Sequence, residues 1–201
     1  MMAPAKQEQD IIVQIATNFD GPDVNITGLK KLVKTVCNRF KLAKATVGIA
    51  IANNAEIKRL NKQFLSRDVT TDCLSFNLSD GQDRLTNRRA DKQQEKSVPG
   101  TRTRKIFEVV VNGEMAVKEA KIRGHSTEAE LALYVTHGLL HNMGFDDATK
   151  AGAKKMHDTE DEILQELGYG LVYNKSIRAQ EHKKAATEMT RGARKKDLKG
   201  K

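Results

Sequence analysis

HGLLHNMGFDD, residues 137–147, constrains this chain more than any other stretch. His137 and His141 are four residues apart, so on a helix their rings project from one face, one turn from each other. Gly144 suits the left-handed residue that ends a helix and reverses the chain. A reversal there carries Asp147 back toward the two rings. Two histidines and a carboxylate can hold zinc with a fourth position open for water, and an open position is what a hydrolytic metal needs. A plainer account fits the same residues. Leu133 and Leu140 flank His137, and both rings could be partly buried core groups bonded to backbone. The spacing leaves both accounts open.

The hydropathy pattern around this motif alternates between strands and helices. IIVQIAT (11–17) reads as a buried strand. Leu29, Leu32, Val33, Val36 and Phe40 recur at helical spacing over 28–40. TVGIAIA alternates Val47, Ile49 and Ile51 against small residues and predicts a strand. NAEIKRLNKQFL follows as a helix, with Asn53 and Glu56 at capping-box spacing. CLSFNL and IFEVVV predict two more strands. One helix is expected from Thr127, where TEAE has capping-box spacing, to Met143. Another covers roughly 148–167, with Met156, Ile163, Leu164 and Leu167 on one side and Gly168 as its stop. The order β-α-β-α-β-β-α-α predicts an α+β fold: a mixed four-stranded sheet with packed helices, the metal site lying on the helix that carries HxxxH.

A chain of 201 residues suits one domain. We place it over 11–170, with an N-terminal segment 1–10, a basic exposed loop at 80–105 and a basic tail at 171–201 expected to be disordered. From Lys175 onward the tail holds ten Lys or Arg against three Asp or Glu. The formal charge of +9 points to polyanionic partners, nucleic acid first. With 4% aromatic residues, base stacking is a poor main source of affinity. Cys37 and Cys73 follow no CxxC spacing, which suits a reducing compartment. No signal-peptide pattern opens the chain, and no apolar run approaches the roughly 18 residues of a membrane span. A soluble cytoplasmic protein is expected. The zinc proteases with HxxxH place a glutamate base after the first histidine. Here that position is Gly138, which disfavours peptide hydrolysis and leaves RNA as the substrate suited to a basic surface.

HGLLHNMGFDD resembles the HGxLHLxGYDH signature of the YbeY family, bacterial endoribonucleases of ribosomal RNA maturation. LNKQFLSRDVTTDCLSF (60–76) resembles the family's LNxxFRxKDxxTDVLSF. IFEVVVNGEMA stands where the family has a GDIVIS-type strand, and KKMHDTEDEIL matches the helix after the metal motif. The resemblance spans about residues 10–168. It implies an α+β fold, one divalent metal expected to be zinc, and single-strand-specific RNA cleavage. That cleavage would serve 3′-end maturation of small-subunit rRNA and ribosome quality control. The partners it implies are ribosomal RNA, the small ribosomal subunit and the assembly GTPase Era.

The chain departs from the family pattern in three places. The third histidine falls on Asp147, which we take as the third ligand beside His137 and His141. The family's arginine falls on Leu65, so Arg67 becomes the candidate cation for catalysis and phosphate contact. Phe107 and Glu108 replace a Gly-Asp pair. Arg102, Arg104 and Lys105 stand just before the fourth strand as candidate RNA contacts. Asp72 reads as a turn or cap residue, Ser75 as a small residue facing the solvent or cleft, and His125, His157 and His182 as surface histidines. A non-catalytic RNA-binding assembly factor with a degraded metal site is the alternative that Asp147 and Leu65 raise.

Overall fold

The structure is a computed structural model that describes residues 10–79 and 104–173. Its elements run β1 (Asp10–Thr17), α1 (Ile26–Arg39), β2 (Lys44–Ala52), α2 (Asn54–Leu65), β3 (Cys73–Asn77), β4 (Lys105–Asn112), α3 (Gly113–Arg123), α4 (Thr127–Asn142) and α5 (Lys150–Glu166). The α+β class and the mixed sheet are as expected. Strand order is β1-β2-β4-β3, with β1, β2 and β4 parallel and β3 antiparallel to β4 at the edge.

One helix exceeds the sequence expectation. α3 follows β4 directly, capped by the Asn112 side chain, which accepts from the Met115 N–H. Ile122 is exposed and Met115 only partly buried, so α3 lacks a continuous apolar stripe. Lacking that stripe, it gives no periodic signal.

Strand alternation sorts the sheet into two faces. Val47, Ile49 and Ile51 of β2 and Phe107, Val109 and Val111 of β4 turn to the main core, shared with α1, α4 and α5. Ala52, Leu74 and Val110 turn the other way, onto Ile57 of α2. α4 is buried on nearly every side from Ala129 to Leu140, as a helix at the centre of a domain must be. Leu139 and Leu140 are fully enclosed, and truncating either to alanine would cost about 2–5 kcal/mol.

Several local signals act as expected. Asn53 caps α2 by accepting from the Glu56 N–H, although the Glu56 carboxylate turns to Arg59 instead of closing a box. The α4 cap differs: Ser126, not Thr127, accepts from the Ala129 N–H. That register removes Glu130 from any capping box and sends it inside. Residues 171–173 were expected to begin a free tail. Val172 is instead fully buried, its N–H donating to Asp161. The rest of that tail, His182 included, and most of the basic loop, Arg102 included, lie outside the described residues.

Candidate metal centre

α4 ends as its sequence demands. Gly144 adopts φ +88°, the Phe145 N–H reaches back to the Leu140 carbonyl at 3.0 Å, and the chain reverses. Two glycines then let the pieces close up. A Cβ on Gly152 would stand 2.2 Å from the Asp146 carbonyl oxygen, so glycine there admits the 144–147 loop against the first turn of α5. A Cβ on Gly138 would meet Val109 at 2.6 Å, so glycine there admits α4 against β4. Position 138 therefore faces the sheet, and the glutamate of a protease could not be housed there.

The rings of His137 and His141 meet edge to face, with their Nε2 atoms 3.1 Å apart. Each ring is oriented from behind. His137 Nδ1 is 2.8 Å from Glu160 Oε1, and His141 Nδ1 is 3.1 Å from the Phe145 carbonyl oxygen. An ionised carboxylate and a carbonyl only accept, so both Nδ1 atoms carry the proton. In the neutral rings both Nε2 atoms are then lone-pair donors facing each other. A cation between them resolves that opposition: nitrogens on one tetrahedral zinc stand about 3.3 Å apart, given bonds of about 2.0–2.1 Å. Ligand atoms of His137, His141 and Asp147 all lie within 4.8 Å of one another. Asp146 is used otherwise, accepting from the Ala148 N–H in a turn.

The core-histidine account and the metal account thus separate on geometry. Partly buried rings bonded to backbone describe His141 Nδ1, but not two Nε2 atoms converging with a carboxylate. The donor set fits a divalent ion.

The surroundings are negative. Burial opposes protonation of His137, but the hydrogen bond and charge of Glu160, with Asp72 and Asp147, raise its pKa overall. Burial works to raise Glu160, yet the hydrogen bonds and charges of His137 and His157 bring it below the ordinary carboxylate value. The Cys73 thiol is pushed well up by burial, and by Asp72, Glu160 and Asp147. An ion is what this field attracts.

His157 is a correction to the sequence reading, which puts it on the surface. Its Nδ1 lies 2.8 Å from Glu160 Oε2, and its ring stacks on Tyr173 with centroids 3.5 Å apart. The available signal is Glu160 itself, an acid at i+4 from Met156 and i−3 from Ile163 on the apolar stripe of α5. His125 is also internal, its Nε2 bonded to Glu130. Asp72 lies in a bend just before β3, its carboxylate accepting from the Cys73 N–H and the Thr71 hydroxyl.

The remaining predicted residues spread out. Leu65 packs against the small core under α2, Ser66 caps that helix with φ 56°, and Arg67 emerges exposed. The Arg67 side chain makes no hydrogen bond or ion pair among the described residues. Arg104 is committed elsewhere: its guanidinium pairs with Asp10 and donates to the Ala45 carbonyl at 3.1 Å. It reaches toward the β1 edge, whereas Gly138, beside His137, packs on β4 and β3. With strands about 4.8 Å apart, the two edges are separated by about 14 Å. Lys105 opens β4 in register with Ala45.

The family model described as Endoribonuclease YbeY matches residues 15–168. Endoribonuclease YbeY of a Thermoanaerobacter species is 31% identical over 143 residues, 71% of this chain and 87% of that one. The Endoribonuclease YbeY of Limosilactobacillus reuteri is 30% identical over 163 residues, 81% of this chain and 98% of that one. The solution structure of TM1509 from Thermotoga maritima aligns at TM-score 0.46 and 23% identity, over 77% of this chain and 91% of that one.

Proposed function

The chain belongs to the YbeY endoribonuclease family, and we propose that it cuts single-stranded RNA with a divalent metal held by His137, His141 and Asp147. Its place of action is the 3′ end of small-subunit ribosomal RNA, during maturation and quality control of the ribosome. The observation that carries the metal is the pair of Nε2 atoms 3.1 Å apart, each ring's Nδ1 already engaged.

Zinc suits two imidazoles and a carboxylate. Asp147, harder than an imidazole and one charge more negative, widens the choice toward other divalent ions. When bound, the ion supplies Lewis acidity, drawing the pKa of water toward neutrality and offsetting charge on phosphate. The protein's own residues do the rest. Glu160 holds His137, and the Phe145 carbonyl holds His141, with Nδ1 protonated and Nε2 presented. Arg67, with no side-chain partner among the described residues, is available to a phosphate and is our candidate for the cation that stabilises the transition state.

Binding to RNA rests on charge. Arg67, Arg102, Arg104 and Lys105 are the proposed phosphate contacts, with Arg104 the weakest member because Asp10 already neutralises it. Each contact made adds about 0.7 to the salt slope on a single strand. The small ribosomal subunit and the GTPase Era are the proposed partners and the cytoplasm the proposed location. No helix among the described residues is long and apolar enough to cross a membrane.

The test is metal content by mass spectrometry on untagged protein never exposed to chelator, paired with cleavage of labelled single-stranded and duplex RNA. About one divalent ion per chain, lost in His141→Ala and Asp147→Ala together with single-strand cleavage, is expected. A metal-free folded chain that still cleaves RNA would sink the reading. A normal rate in Arg67→Ala would remove that residue from the mechanism.

A further inference from the structure

Glu160 is fully buried, and its two oxygens are divided between two histidines: Oε1 to His137, Oε2 to His157, each at 2.8 Å. A carboxylate so enclosed keeps one orientation only if both oxygens are held. His157 is itself braced. Tyr173 lies flat against it, rings 10° from parallel. Tyr173 is fixed in turn by Asp161, one residue beyond Glu160 on α5. Asp161 is 2% exposed, and its Oδ1 accepts from the N–H groups of both Val172 and Tyr173 at 3.0 Å. The contacts therefore run without a gap from Asp161 through Tyr173, His157 and Glu160 to His137.

We infer that His157 and Tyr173 are positioning residues of this metal centre: the segment folded back after α5 sets the orientation of Glu160, and through it the Nε2 of His137. The inference rests on the metal reading above and adds to it a dependence of metal affinity on residues that touch neither ion nor RNA. His157 contributes the N–H that Oε2 requires. Tyr173 contributes the flat apolar surface that keeps the His157 ring from turning away.

Cobalt(II) is the probe, titrated into the metal-stripped full chain. Its visible absorption reports ligand geometry, and competition with a chromophoric chelator reports affinity. His157→Ala is expected to lose about ten-fold in affinity and to shift the absorption band, since removing outer partners of ligand histidines costs about 10–100-fold. His157→Asn, whose side-chain N–H can replace Nδ1–H, is expected to regain most of that loss. Tyr173→Ala should weaken cobalt less than His157→Ala, and Tyr173→Phe, which keeps the stack, should match the parent.

Parent-like affinity in both His157→Ala and Tyr173→Ala overturns the inference while leaving the metal reading standing. Loss that Asn fails to restore, with metal-free melting lowered equally in the Ala and Asn variants, also overturns it, because simple packing would then be the cause. A parent that binds no cobalt removes the metal reading and this inference together. His141→Ala, expected to lose binding outright, marks the floor of the scale.

Discussion

Two glutamates, Glu130 on α4 and Glu160 on α5, are both fully withdrawn from water, yet different partners keep them there. Glu130 pairs with the guanidinium of Arg123 at 2.9 Å and with His125, while Arg123 also reaches Glu119 at 3.3 Å. Glu160 has only the two imidazoles of His137 and His157, with no Lys or Arg paired to it among the described residues. A guanidinium is charged at every working pH and binds no metal, so the Glu130 cluster is closed. An imidazole that gives one N–H to a carboxylate presents a lone pair from its other nitrogen. The Glu160 cluster therefore has a donor left to offer, and His137 offers it toward His141. Burying a carboxylate makes stability at one place and orients a proposed metal ligand at the other, and the neighbour's chemistry decides which.

The widest break in this comparison comes from the proposed ligands themselves. His141→Ala is expected to lower single-strand RNA cleavage by about a thousand-fold. Lewis-acid stabilisation is worth several kcal/mol, and about 1.36 kcal/mol is a factor of ten. Global stability in chelator should barely change, because the His141 ring is only partly buried. Cleavage rate against denaturation midpoint checks this pair of outcomes.

Glu130→Ala and Glu160→Gln should dissociate in opposite directions. Removing Glu130 leaves His125 without its carboxylate and Arg123 with Glu119 alone, both mostly buried, at a cost of about 3 kcal/mol in urea unfolding. Cobalt affinity should remain that of the parent. Glu160→Gln keeps the shape and one acceptor oxygen but loses the charge, so the expected change is a fall of about 10–100-fold in metal affinity. If Glu130→Ala weakened metal as strongly as Glu160→Gln, the two clusters would be one coupled system and the contrast would fail.

How far each cluster can be read from sequence follows the same physics. His137, His141 and Gly144 declare themselves because a helix turn and its stop are local, within eight residues. Asp147 follows from the reversal. Strands with Val and Ile in alternation, and helices with caps such as Asn53, are likewise local signals. His157 and Glu160 sit 20 and 23 residues from His137, and only the packing of α5 on α4 brings them together. Their charged sequence neighbours suggest a surface face, and the acid on an apolar stripe is the one local sign against it. α3 escapes because its buried residues are Gly113, Ala116 and Ala120, too small for a hydropathy pattern to register.

Gly138→Ala tests how tightly α4 must approach the sheet. Its Cβ would press on Val109, which at 2.6 Å has to yield, and an overpacked core of this kind costs about 1–3 kcal/mol. Because His137 is the preceding residue on the same turn, metal affinity should fall along with the melting temperature. That outcome would place the centre under control of sheet packing.

His125→Ala carries the smallest effect and the sharpest contrast with His157→Ala. Both rings serve a buried glutamate through one nitrogen. His125 stands beside a guanidinium that remains when it is removed, and its Nδ1 has no hydrogen-bond partner among the described residues. Only one hydrogen bond is then lost, worth about 1 kcal/mol in unfolding, and cobalt affinity should not change. His157 has no such substitute, so its removal reaches the ligand. If His125→Ala weakened cobalt by as much as His157→Ala, burial of a histidine near α4 would be the common cause, and the division between a closed ionic cluster and one that feeds a metal site would have to be abandoned.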